Sequence, residues 1–179
     1  STCDFPSASA WLEQAEAFPD AKIILTVRDP EKWHKSVVTT IYQMTKRMDW
    51  VGALLFGGEI AALLRNVFVD SFGVVDVSTE RGKQRAIERF IAHNERVKRT
   101  IPKERLLVVD LTTAETARWN ELCEFLEVPI PDQPFPRTNS TAEMKQRLVT
   151  FDRARLAVKG VLVSLFVLVL AAIAYFFFA

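Results

Sequence analysis

Two apolar runs of different kinds stand near opposite ends of the chain. The first, Ile23 to Val27, is short, aliphatic and without polar alternation, which predicts a parallel strand buried on both faces. It runs into Arg28-Asp29-Pro30, where Asp29 suits a helix N-cap and Pro30 the first turn, so a helix should follow through Ser36. The second run is far longer. From Gly160 to Ala179 every residue is apolar or small except Ser164 and Tyr175. About twenty such residues are what a helix needs to cross a bilayer's hydrocarbon core.

Between these runs the pattern is mostly helical. Met48 to Phe72 is apolar but broken by Gly57-Gly58, Glu59, Arg65 and Asp70, which predicts two helices or a hairpin over the sheet edge. Ser78 can cap a long helix through about Arg99, with Ile87, Phe90, Ile91, Asn94 and Val97 along a core-facing stripe. Its other face carries Arg81, Lys83, Arg85, Arg89, Arg96 and Lys98, tempered by Glu80, Glu88 and Glu95, and reads as solvated and ion-paired. His93 adjoins the stripe and reads as structural. Arg105 to Val109 predicts a second strand ending at Asp110. Trp119, Leu122, Phe125 and Leu126 recur at helical spacing and should pack a last globular helix on the sheet, before a loop pinned by the prolines from Pro129 to Pro136.

The fold class predicted by this pattern is α/β, mostly helical, with a parallel sheet and one C-terminal transmembrane helix. The expected divisions are a globular domain over 1–140, a basic amphipathic connecting helix over 141–158 and the span over 159–179. The basic residues Lys145, Arg147, Arg153, Arg155 and Lys159 just before the span favour its cytosolic side, which puts the globular part in the cytosol. A tail anchor in the ER or another endomembrane fits this arrangement better than the plasma membrane.

Charge and cysteines narrow the chemistry. In 179 residues, 23 Lys and Arg against 22 Asp and Glu leave a formal charge of +1, which argues against a general nucleic-acid surface. Cys3 and Cys123 are far apart and read as reduced thiols, and neither has metal-ligand spacing to a histidine, so no zinc site is expected.

Arg28 at the carboxyl edge of a parallel strand stands where ligands of open α/β sheets bind. Its guanidinium offers a planar fork to a phosphate, and the Ser36 hydroxyl can add a hydrogen bond. Equally, Arg28 could pair with a carboxylate while Ser36 faces solvent. Arg137, after the proline-rich loop, could reach a phosphate or cap a carbonyl or carboxylate, and His34 should point to solvent.

The strand, the Arg-x-Pro turn and a serine eight positions after the arginine resemble the segment that holds the donor's 3′-phosphate in the sulfotransferases, a branch of the P-loop fold. The stretches His93 to Val97, Pro102 to Val108, Trp119 to Asp132 and Pro134 to Asn139 are similar to the same family, which normally has glycine where Arg118 precedes Trp119. The resemblance implies a sulfonate transferase that uses 3′-phosphoadenosine-5′-phosphosulfate (PAPS), no metal, and a small hydroxyl or amine acceptor. It implies that Arg28 and Ser36 hold the 3′-phosphate. It also implies a P-loop-type three-layer α/β/α sheet and a loop for the 5′-phosphosulfate, which nothing before Arg28 matches, so the sheet is expected to be incomplete and the chain to lack an amino-terminal part. Asp4 in Asp4-Phe5-Pro6 stands near the place of the family's His-x-Pro base, and is the candidate base or simply a helix cap. The apolar Met48 to Phe72 segment suits a hydrophobic acceptor wall or a plain packing hairpin. A non-catalytic tail-anchored interaction module and a nucleotide-kinase-like enzyme remain as other readings of the same residues.

Overall fold

The computed structural model describes residues 1–3, 7–47, 50–56, 59, 62–63, 66, 73, 76–112, 115–135 and 141–178. In chain order the elements are α1 (Trp11–Ala17), β1 (Ile23–Val27), α2 (Pro30–Thr39), α3 (Ile41–Thr45), α4 (Trp50–Phe56), α5 (Glu80–Thr100), β2 (Leu106–Asp110), α6 (Glu115–Leu126) and α7 (Thr141–Phe178). They form two compact units, Ser1–Val38 with Arg65–Thr138, and Thr39–Leu64 with Asn139–Ala179.

The first unit is the α/β part. β1 and β2 pair in parallel with Ile23 opposite Leu106 and Val27 opposite Asp110, and Leu111 N–H adds one more bond to Val27 C=O at 3.0 Å. Both strand ends thus lie side by side, as the sequence expects. Ala15, Leu25, Val97 and Ile101 form the core, with Trp11, Ile23, Val27 and Leu106 against it. α1 and α5 therefore cover the Leu25 face. Burial on both faces is not found among the described residues, because Ile24 on the opposite face is 43% exposed.

Polar contacts fix this small core. Arg105, expected as a strand residue, precedes β2 and donates to the carbonyls of Ala15, Phe18 and Ala21 at 3.3, 2.9 and 3.1 Å. It serves the carbonyls that the end of α1 and the turn after it leave open. The cap of α5 is Thr79 rather than Ser78: Thr79 Oγ1 accepts from Gly82 N–H at 3.0 Å, while Ser78 donates its hydroxyl to Asp76. Gly82 is required there, since a Cβ would come within 1.9 Å of the Asp76 carbonyl oxygen.

α6 ends in a Schellman-type cap, with Glu127 at φ 59° and Val128 N–H bonded to Cys123 C=O at 3.0 Å. Lys22 completes the cap by donating to Phe125 C=O at 2.7 Å and Glu127 Oε1 at 2.6 Å. Cys123 is buried, alone among the described side chains of the helix, whereas Leu126, expected in the core, is exposed. Trp119 secures the proline-rich loop, donating Nε1–H to Gln133 C=O at 2.9 Å with its ring edge-on to Phe135.

The second unit is helical. Among its described residues, Tyr42, Val51, Leu148 and Phe151 are buried apolar side chains from α3, α4 and α7. Arg47 grips Asp152 with two hydrogen bonds of 2.8 Å, which holds the Asp152 carboxyl below its ordinary range. α7 runs unbroken for 38 residues, about 57 Å at 1.5 Å per residue. Leu148 and Phe151 are buried, but residues 161–177 are exposed on every side. By length and composition this helix can cross a membrane. Of the expected hairpin over Met48 to Phe72, α4 is a helix and most of the remainder lies outside the described residues.

Candidate functional site

The carboxyl ends of β1 and β2 open on a cleft of about 350 Å³. β1 and its turn contribute Val27, Arg28, Asp29 and Pro30, and β2 contributes Asp110. The facing wall is one stripe of α5, comprising Phe90, Ile91, Asn94, Glu95 and Lys98. The turn forms as its residues dictate: Asp29 Oδ1 accepts from Lys32 N–H at 2.8 Å, capping α2, and Pro30 occupies the first helical position. That cap stops the strand at Val27 and leaves Arg28 at the sheet's edge.

Charges in the cleft are unequally served. The Asp110 carboxylate accepts from Thr112 N–H at 2.8 Å and Thr112 Oγ1 at 2.7 Å, which holds its carboxyl below the ordinary 3.8, with Lys32 adding to the effect. Glu95 accepts from Lys98 Nζ at 3.0 Å. Arg28 differs from all of these, since its Nε–H is buried and has no hydrogen-bond partner among the described residues. The carboxylate pairing considered from the sequence is therefore not found there. An unmade buried donor costs roughly 1–3 kcal/mol, and an orphaned guanidinium N–H at a strand's carboxyl edge fits an oxyanion such as a phosphate. Among the described residues no three His, Cys, Asp or Glu side chains cluster as a metal would need.

The other expected site residues fall elsewhere. Ser36 is half-buried on α2 and does not line the cleft. Asp4 and Arg137 lie outside the described residues. His34 does not face solvent: it is 9% exposed, and Nε2 lies 2.8 Å from Val77 C=O, tying α2 to the segment that leads into α5. His93 is exposed on α5 with its ring edge-on to Trp11 at 6.0 Å, and partial desolvation, aided by the neighbouring Arg96 charge, lowers its pKa below 6.5.

Sequence reasoning missed the α5 wall. It assigned Phe90, Ile91 and Asn94 to the core and Lys98 to a solvated face, whereas all of them line the cleft and Ile91 is 44% exposed. Phe90 is held by Trp33 of α2, stacked at 4.3 Å and 12°. The available signal was the recurrence of 90, 94 and 98 every fourth residue, with an amide in the middle of an otherwise apolar stripe.

The family model described as Sulfotransferase domain matches residues 1–144. The Ava biosynthesis cluster protein M of Aspergillus versicolor is 31% identical over 140 residues, covering 76% of this chain and 52% of that protein. The chain thus spans about half the length of this curated relative.

Proposed function

Because the chain belongs to the sulfotransferase domain family, we propose that it serves a membrane-tethered enzyme moving a sulfonate group from PAPS to the hydroxyl or amine of a small molecule. Arg28 carries this assignment: a buried, unpartnered guanidinium N–H in a cleft at the ends of two parallel strands asks for an oxyanion. Bound PAPS supplies the reactive sulfonate, whose sulfur gains a bond to the acceptor oxygen or nitrogen as its bond to the 5′-phosphate oxygen breaks.

In this proposal Arg28 takes the 3′-phosphate and fixes the nucleotide in line for transfer, with Arg137 as a further donor. Asp4 accepts the acceptor's proton. An aspartate does so only if its surroundings raise its pKa from about 3.9. The relative's name places it in a biosynthesis cluster, which supports a small-molecule acceptor. Residues 159–179 serve as the anchor. Support for that comes from side chains 161–177 exposed all round an apolar helix, and from Arg153, Arg155 and Lys159 at its base. The same basic flank favours a cytosolic globular part at the ER or another endomembrane.

Calorimetry on the full-length protein in detergent micelles tests the donor site. Adenosine 3′,5′-bisphosphate should bind at least tenfold more tightly than adenosine 5′-monophosphate, by the strength of a charge-assisted hydrogen bond. Arg28→Ala should abolish that preference while circular dichroism stays native, and a preference left intact would overturn the assignment. Deleting 160–179 should release the protein from membranes in an alkaline wash, and retention would overturn the anchor.

A further inference from the structure

The α5 wall adds a second polar side chain to the same cleft, one whose amide atoms, unlike Arg28 Nε, are not shut off from solvent. Asn94 is 8% exposed, lines the cleft, and makes no side-chain hydrogen bond among the described residues. Its amide offers two N–H donors and a carbonyl. No hydrogen bond among the described residues holds this amide, so it meets only what the cleft contains, and leucine has nearly its volume.

The cleft is asymmetric in its hydrogen bonding. Each of its carboxylates already accepts from a protein donor: Asp29 from Lys32 N–H, Glu95 from Lys98 and Asp110 from Thr112. Its unserved donors are the Arg28 Nε–H, from the end of β1, and the Asn94 amide, from α5. Such a site favours a ligand rich in acceptor oxygens over a cation. A phosphate monoester carries acceptor oxygens enough for both donors.

We propose that Asn94 is a second donor, with Arg28, to the phosphate of a nucleotide bound in this cleft. The proposal rests on the reading of Arg28 above and extends it to α5. Asn94 supplies direction without charge, so a phosphate ester is gripped between strand end and helix. The rigid Trp33–Phe90 stack one turn earlier on α5 keeps that wall in place.

The test uses full-length protein in detergent micelles, with Asn94→Leu and Asn94→Asp titrated by adenosine 3′,5′-bisphosphate, adenosine 5′-monophosphate and inorganic phosphate. Asn94→Leu should weaken the bisphosphate about tenfold and Asn94→Asp about a hundredfold, leaving the monophosphate unchanged. Asn94→Leu should also melt at or above the wild-type temperature, which a structural amide would not allow. Bisphosphate affinity unchanged in both variants would overturn the role of Asn94 and leave that of Arg28 standing, because Arg28→Ala reads the latter by itself. A lower melting temperature with the bisphosphate preference intact would likewise overturn it. Inorganic phosphate binding as tightly as the bisphosphate would overturn the nucleotide as source. If the leucine variant does not fold, Asn94→Ser is read by the same affinities.

Discussion

Lys22 and Arg28 flank the same strand and meet opposite fates. Lys22, just before β1, is engaged by the fold: it donates to Phe125 C=O and Glu127, and lies 5.5 Å from the Phe125 ring centroid. Arg28, just after β1, keeps a buried N–H with no partner among the described residues. Both are cations beside one short parallel pair of strands, so charge and position in the sequence do not separate them. What separates them is the end of the strand. The amino end abuts a helix terminus with open carbonyls to serve, whereas the carboxyl end abuts a cleft. One cation completes the fold, and the other keeps a buried donor that nothing among the described residues answers.

Exchanging each for an uncharged side chain of similar length should produce opposite fingerprints. Arg28→Met should have the largest effect, a loss of 3′-phosphate preference of ten- to a hundredfold, with a melting temperature no lower than wild type. A fall in both would mean that Arg28 is structural too. Lys22→Met should do the reverse, lowering the melting temperature by a few degrees and leaving nucleotide affinity untouched.

A smaller effect is expected in acid. Lys22 holds the Glu127 carboxyl below its ordinary 4.5, so the folded state gives up a proton more readily than the unfolded state. Its contribution to stability is complete above about pH 4.5 and lost as pH falls through the lowered value. Lys22→Met should flatten that part of the acid limb in thermal melts, and a limb identical to wild type would remove the coupling. Asp110, held down by Thr112 instead, should keep its own share in that variant. The smallest change should come from Glu127→Gly. Glycine relieves the left-handed backbone at φ 59° but loses an exposed ion pair, and the two nearly cancel. A melting temperature moved by more than a degree or two would show which one dominates.

The features legible in the sequence are those decided by neighbours. The aliphatic run of β1, the Asp29-Pro30 turn and the all-apolar end of α7 each follow from a few adjacent residues. The misreadings concern partners far along the chain. His34 looked solvent-facing because its acceptor, Val77 C=O, is 43 positions away. Ser78 and Thr79 are equivalent caps by composition, and Asp76 decides between them by taking the Ser78 hydroxyl. Asn94 fitted a core stripe because periodicity reports which face a residue occupies and not whether that face meets packing or a cleft. At the candidate site Arg28 was readable from its turn, while the opposing wall was not, since nothing local to α5 names the strand ends that it faces.

α7 passes from packed to unpacked without a break. Phe151 is buried against the second unit, Asp152 is clasped by Arg47, and the same helix continues to Phe178. Such a rod behaves as a keyed shaft and not as a leash: whatever grips the far end also sets the compass heading of α3 and α4. With 3.6 residues per turn, each residue inserted near Gly160 would swing that heading by about 100°.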